Sequence, residues 1–348
     1  VDFNEISVLD NSTKNDIIND ANEICDHIFN FLGTGPSHWG EKIEWNKDIV
    51  SSHTWENKIY LDYSPSEILF IKNVDIKIPW ELNRLHHLVT LSQAWRLSKD
   101  NKYAIEIFDQ IEHWKKNNPF CYGINWVSTM EVSIRVINIM IAIDLISDSK
   151  IFYDRISNIV EIIEQHGKYI EHNLEIGISD KQISAGNHLL ANFSALAMIG
   201  MMFKNIKDSK KWMKSGLNGL HFSMDSMVLD DGFFFESSMS YHRFAIELFL
   251  YPYIISQKIG CDFEKQYILK LENMFELIFY CLEPDGTISL IGDGDDGRLL
   301  ILNNYSNWEK NDFRYLMGIG AFIFNRSDFK DSATLFPNEL YWFFNSSK

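Results

Sequence analysis

The chain has 348 residues, of which 46% are hydrophobic and 14% aromatic, and it carries a formal net charge of −16. A chain of this length and hydrophobicity buries a substantial core, which excludes an intrinsically disordered protein. The acidic charge and the lack of any basic run argue against nucleic acid or anionic lipid as a partner. No apolar run is long enough to span a membrane, and no signal peptide is recognisable. The four cysteines are far apart, match no metal-site spacing and are predicted to be buried free thiols.

Apolar residues recur at helical spacing along most of the chain. Residues 1–78 are predicted to form one amphipathic helix over 14–32 and then a long ordered loop with short strands over 37–78. From residue 79 onward helix follows helix, and the short polar connectors favour antiparallel pairs. These helices are predicted over 80–98, 102–117, 127–147, 151–173, 187–204, 209–226, 240–258, 264–281 and 310–320.

Strand-like patterns are few. They cover 232–235, 287–291 and 298–302, and they predict short β-hairpins in loops. The fold is therefore predicted to be all-α. Antiparallel helix pairs over 79–348 would form an α/α ring or solenoid, and the region 1–78 would pack on it.

The segment from Ser184 to Gly200 is predicted to begin a buried helix with Asn187 and His188 in its first turn. An amide and an imidazole at this position lie where the helix dipole favours an anion. We therefore expect Asn187 and His188 to bind a carboxylate. The alternative for a lone histidine is a structural role.

Another helix start carries Tyr241, His242 and Arg243, with Glu236 a few residues before it. A serine, Ser238 or Ser240, is expected to cap this helix. The phenol, imidazole and guanidinium together offer a proton donor, a titratable group and a fixed cation. Tyr241 is thus a catalytic candidate, and the alternative is that its ring only packs.

Arg84 and His87 lie three residues apart on a predicted helix and could face an anionic ligand. The alternative is a surface face on which Arg84 pairs with Glu81. The sequence leaves these two interpretations equally open.

Glu131 and Arg135 lie four residues apart on a strongly apolar helix. Charges on such a helix must be paired, either with each other or with a ligand. A buried ion pair between Glu131 and Arg135 is the simpler interpretation. Trp126, at the start of this helix, could stack on a sugar ring or could belong to the core.

The stretch from Gly292 to Gly297 contains three aspartates. It lacks the ligand spacing and the closing glutamate of a calcium-binding EF-hand loop. A tight turn, with the aspartates capping backbone groups, is predicted instead.

Several of these segments, taken in order, resemble the motifs of the heparinase II/III family of polysaccharide lyases. The resemblance runs from about Trp80 to Gly297. The matching segments are Trp80-Glu-Leu-Asn-Arg84, Asn118-Pro119, Gly123-Ile-Asn-Trp126 with Glu131 and Arg135, Asn187-His188-Leu, Asp231-Gly232 with Glu236, Ser238 and Tyr241-His242, and Gly292-Asp-Gly-Asp-Asp-Gly297.

The resemblance implies an incomplete (α/α) toroid with a long cleft, followed by a C-terminal β-sandwich domain, in a periplasmic or secreted enzyme. The β-sandwich is expected to be absent from this chain, and the histidine it would supply has no counterpart here, since no histidine follows His242. The implied activity is β-elimination on a uronate-containing glycan, such as heparan sulfate, alginate or a bacterial exopolysaccharide. The resemblance carries the catalytic residues over to Asn187, His188 and Tyr241.

The remaining candidates are assigned to substrate binding or support of the cleft. They are Trp126, Glu131, Arg135, Glu236, His242, Arg243, Arg84 and His87.

The chemistry of elimination suits these residue types. The C5 proton of a uronate is very weakly acidic until a donor such as Asn187 neutralises the carboxylate beside it. Tyr241 could protonate the leaving O4 oxygen and, for some epimers, also remove the C5 proton, and a nearby His242 or Arg243 would lower its pKa. His188 is a second base or a carboxylate donor. No metal or other cofactor is needed, and none is predicted.

Two other functions stay open. A glycoside hydrolase on an α/α toroid would need two carboxylates across the cleft, for example Glu236 with Asp231, Asp293 or Asp295. A non-catalytic module would bind an acidic polysaccharide and leave it uncut.

Overall fold

The computed structural model describes residues 9–179, 182–184, 186–294, 297–333 and 338–344, with the side chains of all these except 177–179 and 182–184. Its helices are α1 (Asn11–Cys25), α2 (Pro65–Leu69), α3 (Lys77–Asn83), α4 (His87–Ser98), α5 (Asn101–Asn117), α6 (Thr129–Leu145), α7 (Lys150–His172), α8 (Asn187–Met202), α9 (Ser209–Met227), α10 (Met239–Ile259), α11 (Lys265–Cys281), α12 (Arg314–Phe324), α13 (Ser327–Ser332) and α14 (Asn338–Phe344). Two antiparallel hairpins join β1 (Ile28–Phe29) to β2 (Ser37–His38) and β3 (Gly177–Ser179) to β4 (Gln182–Ser184).

Helices α4, α6, α8 and α10 form the inner wall of a ring and run parallel to one another. Near the start of α6, Ser133 accepts a hydrogen bond from Asn192, near the start of α8, at 3.2 Å. Further along, Ser194 of α8 donates to the carbonyl of Leu248 in α10 at 2.5 Å. Arg84, three residues before α4, donates to Glu131 in the first turn of α6 at 2.8 Å. The four inner helices therefore begin at one end of the ring, which we call the helix-start rim.

The alternate helices return along the outside, and the sequence explains the division. The inner helix α8 is apolar on every face and buries thirteen of its sixteen residues. The outer helix α7 buries only seven of its twenty-three residues, on a single stripe. A helix that is apolar all round needs neighbours all round, whereas an amphipathic helix covers the core on one face.

Close packing between α8 and α9 depends on a missing side chain. A Cβ atom at Gly216 of α9 would lie 2.3 Å from the backbone nitrogen of Ala197 in α8. Glycine at this position lets the two backbones touch, so any larger residue would push the pair apart.

The segment 298–302 crosses the inside of the ring and forms no strand, so the hairpin prediction for it is wrong. Its residues are buried, and the hydrogen-bond partners of its backbone are side chains in the inner helices or next to them. His86, Gln93 and Asn138 contact its carbonyl oxygens at 2.9–3.1 Å, and Glu247 accepts one of its N–H groups at 2.7 Å. These contacts satisfy a buried backbone that has no sheet to join.

The other two predicted strand segments, 232–235 and 287–291, form only isolated bridges, between Val228 and Phe234, Leu282 and Ile288, and Thr287 and Asp312. Three helix boundaries also differ from prediction. The helix predicted over 80–98 is two helices, because Leu85 between them has a φ of +59°. Helix α1 ends at Cys25 before His27, whose φ is +54°, and α12 begins at Arg314.

The main hydrophobic core includes residues from Leu9 to Phe343, and α1 packs on α4 within it. A second, smaller cluster of buried residues contains Trp55, Tyr63, Ile68, Ile76 and Ile124. The four cysteines are free and partly buried. Among the helices of the described ranges, none combines the length and apolar character needed to cross a bilayer.

Candidate active site

The starts of α8 and α10 are joined at the helix-start rim by Glu236. This carboxylate accepts the backbone N–H of Asn187 at 3.0 Å and the side-chain Nδ2 of Asn187 at 2.6 Å. Gly186 makes the approach possible, because a Cβ atom there would lie 2.6 Å from the Glu236 carboxylate. A protein carboxylate therefore already holds the backbone N–H of Asn187, so a substrate carboxylate at this helix start would have to be bound by the side chains of Asn187 and His188.

The same contact fixes the orientation of the Asn187 amide. A carboxylate can only accept hydrogen bonds, so the atom facing Glu236 must be Nδ2 and not Oδ1. Nδ2 carries two hydrogens, of which one is used. Asn187, whose exposed fraction is 8%, thus has a second amide hydrogen with which to donate to a ligand.

His188, the next residue of α8, pairs with Glu175, a residue the sequence did not single out. The His188 Nδ1 lies 3.1 Å from Glu175 Oε1, and Glu175 Oε2 accepts the backbone N–H of Met130 at 2.7 Å. Glu175 therefore both caps the first turn of α6 and orients the imidazole of His188. Its partners lie 13 and 45 positions away in sequence, so no local pattern pointed to it.

The His188 ring is about half exposed and its pKa is raised. Its partial burial lowers the pKa, but the hydrogen bond and charge of Glu175, followed by the charges of Glu131 and Glu236, outweigh burial. The raised pKa favours the protonated ring, which suits His188 better for donating to an anion than for removing a proton.

Tyr241 lies in the first turn of α10, five residues after Glu236. Its backbone N–H donates to the capping Ser238 hydroxyl at 3.3 Å, and that hydroxyl donates to the Asp293 carbonyl at 2.7 Å. The Tyr241 ring is half-buried and packs against the core. Asn187 and Tyr241 therefore stand at the starts of two adjacent parallel helices, and Glu236 links those starts.

His242 and Arg243 face away from such a site, so their assignment to substrate binding is wrong. Both are fully buried. His242 accepts the Phe234 N–H at 3.2 Å and contacts the Met274 carbonyl at 3.0 Å, and burial lowers its pKa to about 4. Arg243 donates to the Lys310 carbonyl at 2.5 Å.

Arg84 is engaged by protein carboxylates. Its guanidinium donates twice to Glu131, at 2.8 Å each, and once to Glu81 at 2.7 Å. The sequence allowed a surface face on which Arg84 pairs with Glu81. The pair forms, but both of its side chains are largely buried. Glu131 pairs with Arg84 and not with Arg135.

His87 does not share a face with Arg84, because the chain turns at Leu85. Its side chain is 1% exposed and bonds to Gln110 at 2.8 Å, and burial lowers its pKa to about 3. For His87, the alternative of facing an anionic ligand is therefore wrong, and so is the alternative of a surface position.

Trp126 and Arg135 belong to a buried aromatic cluster. Trp126 is 1% exposed, so of the two alternatives for this ring the core position is correct and stacking on a sugar is wrong. The Arg135 guanidinium lies 5.4 Å from its ring centre and 4.4 Å from that of Trp114, and it donates to His166 at 3.0 Å. Arg135 is therefore a core residue and not a substrate ligand.

In the acidic turn 292–297, the described residues form no metal site. Asp293 is described and Asp295 lies outside the described residues. Within the described ranges, no group of three or more His, Cys, Asp or Glu side chains could hold a metal ion.

The family model of the heparinase II/III N-terminus matches residues 3–313, so the chain belongs to this family. It is 27% identical over 317 residues to a heparin-sulfate lyase of Bacteroides stercoris, a match that covers 83% of this chain and 43% of the relative. It is 26% identical over 226 residues to a heparin-sulfate lyase of Pedobacter heparinus, with 63% and 33% covered.

The fold is similar to the crystal structure of heparan sulfate lyase HepC from Pedobacter heparinus, with a TM-score of 0.62 and 22% identity over 94% of this chain and 46% of that one. This likeness confirms the predicted all-α fold, an incomplete (α/α) toroid. The chain spans about a third to a half of the length of these relatives.

Proposed function

We propose that this chain carries the toroid site of a polysaccharide lyase, which cleaves a uronate-containing glycan of the heparan-sulfate type by β-elimination. The proposal is supported by membership of the heparinase II/III family and by relatives named heparin-sulfate lyases. The observation that carries it is the double contact between Glu236 and Asn187. It joins the two helix starts that bear the amide, the imidazole and the phenol.

In the proposed reaction the second Nδ2 hydrogen of Asn187 donates to the uronate carboxylate. This donation disperses the negative charge that develops when C5 loses its proton, and so lowers the barrier. The C5–H and C4–O4 bonds break, a C4–C5 double bond forms, and a proton passes to the departing O4.

Tyr241 is the proposed proton carrier: as a phenolate it takes the proton from C5, and the phenol so formed donates that proton to the departing O4. The alternative is that neutral His188 takes the C5 proton while Tyr241, as a phenol, donates a proton to O4. The raised pKa of His188 favours the first arrangement, with a protonated His188 donating to the carboxylate beside Asn187.

A heparan-type substrate is proposed over alginate or another exopolysaccharide because of the relatives alone. A β-sandwich domain of the kind that follows the toroid in the family would be the proposed partner of this rim. The acidic glycan would lie between the two.

The test is to incubate the protein with heparan sulfate, unsulfated heparosan and alginate and to analyse the new chain ends. The expected product carries the ultraviolet absorbance of an unsaturated uronate. Saturated ends would instead indicate a glycoside hydrolase. Binding of the glycan without any cleavage would indicate a non-catalytic module.

A further inference from the structure

A cavity of about 210 Å³ lies at the helix-start rim, between the loops 30–33 and 303–310. Glu81 and His86 line it from the start of the inner wall, and Trp308 lines it from the second loop. Pockets for drug-sized ligands measure roughly 300–1,000 Å³. A cavity of this size therefore has room for about one six-membered ring.

The Glu81 carboxylate at this cavity is ionised but only partly satisfied. Burial raises the pKa of Glu81, but the charge of Arg84 and the contact with His86 outweigh burial. The pKa of Glu81 is therefore lowered overall. Arg84 donates to one carboxylate oxygen at 2.7 Å, and His86 Nδ1 lies 3.4 Å from the other. Since two carboxylate oxygens can accept about four hydrogen bonds, Glu81 can accept more from a ligand, but it would repel an anionic group placed against it. Lys310, on the loop that carries Trp308, also lines the cavity.

Trp308 adds a fixed aromatic surface to the same cavity. Its indole is half-buried, and the guanidinium groups of Arg243 and Arg298 lie 5.0 and 5.2 Å from its ring centre. These cation–π contacts hold the ring in place. An aromatic wall beside a carboxylate acceptor matches a sugar, which has an apolar ring face and hydroxyl donors.

We propose that this cavity is a saccharide subsite that takes one uncharged sugar ring, with its hydroxyls on Glu81 and its ring against Trp308. As a subsite for one unit of the glycan chain, it rests on the proposed function. Arg84 connects the cavity with the candidate active site, because the guanidinium that holds Glu81 also donates to Glu131 at 2.8 Å. Glu131 in turn contributes to the raised pKa of His188.

The test measures binding and needs no turnover. N-acetyl-D-glucosamine and its 6-sulfate are titrated into the protein by NMR, with wild type compared with Trp308→Phe and Leu32→Phe. Leu32 lines the cavity and has a φ of +50°, so phenylalanine fills space there without a new backbone constraint. Leu61→Phe, at a residue that is 74% exposed, is the matched control.

We expect the uncharged sugar to bind wild type and Leu61→Phe equally, and both cavity variants at least about tenfold more weakly. The 6-sulfate should bind wild type more weakly than the uncharged sugar. Equal binding by wild type and both cavity variants, or a preference for the sulfated sugar, would overturn the proposal.

The two proposals fail separately. If the cavity variants lose sugar binding but no unsaturated product is ever formed, the subsite stands and the lyase proposal falls. If heparan sulfate is cleaved to unsaturated products but the cavity variants bind N-acetyl-D-glucosamine as wild type does, only the subsite falls.

Discussion

Glu236 accepts hydrogen bonds from both the backbone N–H and the side-chain amide of Asn187, at 3.0 and 2.6 Å. One carboxylate thus caps the start of α8, lies three residues before the start of α10, and fixes the orientation of the Asn187 amide. The relationship makes Glu236 a positioning residue for Asn187.

Replacing Glu236 by glutamine tests this role. The two donors of Asn187 bond to different oxygens of Glu236, whereas glutamine has only one acceptor oxygen and places an NH₂ group against the other donor. Losing a hydrogen bond to a charged group costs roughly 1.5–3 kcal/mol, which corresponds to a fall of about 10- to 100-fold in kcat if the amide orientation matters only in the transition state. Glu283→Gln, at an exposed carboxylate, is the control. Full activity in Glu236→Gln would contradict the positioning role.

The proposed chemistry predicts that Asn187→Ala and Tyr241→Phe each abolish elimination while the fold is retained. Removing one electrostatic donor costs about 10²–10³ in rate, and removing a general acid or base about 10²–10⁴. Initial rates of unsaturated-product formation and circular dichroism would be measured together. Tyr280→Phe, at a ring that is 78% exposed, should retain the wild-type rate. If both site variants cleave normally, the assignment is wrong.

The ring could be predicted from sequence because its cause is local. Helices that are apolar all round, such as α8, alternate with one-sided helices such as α7, and each pattern shows in about a dozen residues. The break at Leu85 was missed, since nothing in the side-chain pattern records a φ of +59°.

The site was predicted less completely because its partners come from distant parts of the chain. Helical spacing paired Glu131 with Arg135, whereas in the fold the carboxylate bonds to Arg84, 47 residues away. Glu175 was overlooked for the same reason. Residue types at helix starts identified Asn187 and Tyr241 as candidates, but only the tertiary structure revealed that Glu236 links the two helix starts.

The pair formed by His188 and Glu175 predicts a pH dependence of stability. The pKa of His188 is raised in the folded state, so its stabilising contribution is full below the unfolded pKa of about 6.5 and is lost as pH rises through the folded pKa. The difference in unfolding free energy between wild type and His188→Gln should therefore be largest in acid and shrink at higher pH. Urea denaturation across a pH series measures it, with the exposed His38→Gln as control.

Glu175→Gln should lower the pKa of the His188 ring, which an NMR titration can follow. The matched control is Glu112→Gln, a carboxylate paired with Arg155 on the outer helices. A His188 pKa that is the same in wild type and Glu175→Gln would contradict the proposed cause of the shift.

Trp126 should contribute to stability and not to sugar binding. Its ring lies 5.9 Å from Trp114 and 5.0 Å from Tyr169, between centroids, and its Nε1 donates to the Asn118 carbonyl at 3.3 Å. Truncating a buried tryptophan costs about 3–5 kcal/mol, so Trp126→Ala should lower the free energy of unfolding by that amount. Phe120→Ala, at a ring that is 40% exposed, should cost less. A stable Trp126→Ala that has lost glycan binding would restore the stacking hypothesis.

Acid should destabilise the fold through its buried histidines, and His242 allows a clean test. Burial lowers its pKa to about 4, while the unfolded chain has an ordinary pKa near 6.5. As pH falls through this interval the unfolded state binds the proton first, so the contribution of neutral His242, up to about 3 kcal/mol, is progressively lost. Glutamine offers an acceptor for the Phe234 N–H and a donor for the Met274 carbonyl but does not titrate. His242→Gln should therefore lose less stability than wild type between pH 6.5 and 4, whereas equal losses would mean that His242 is not held neutral by burial.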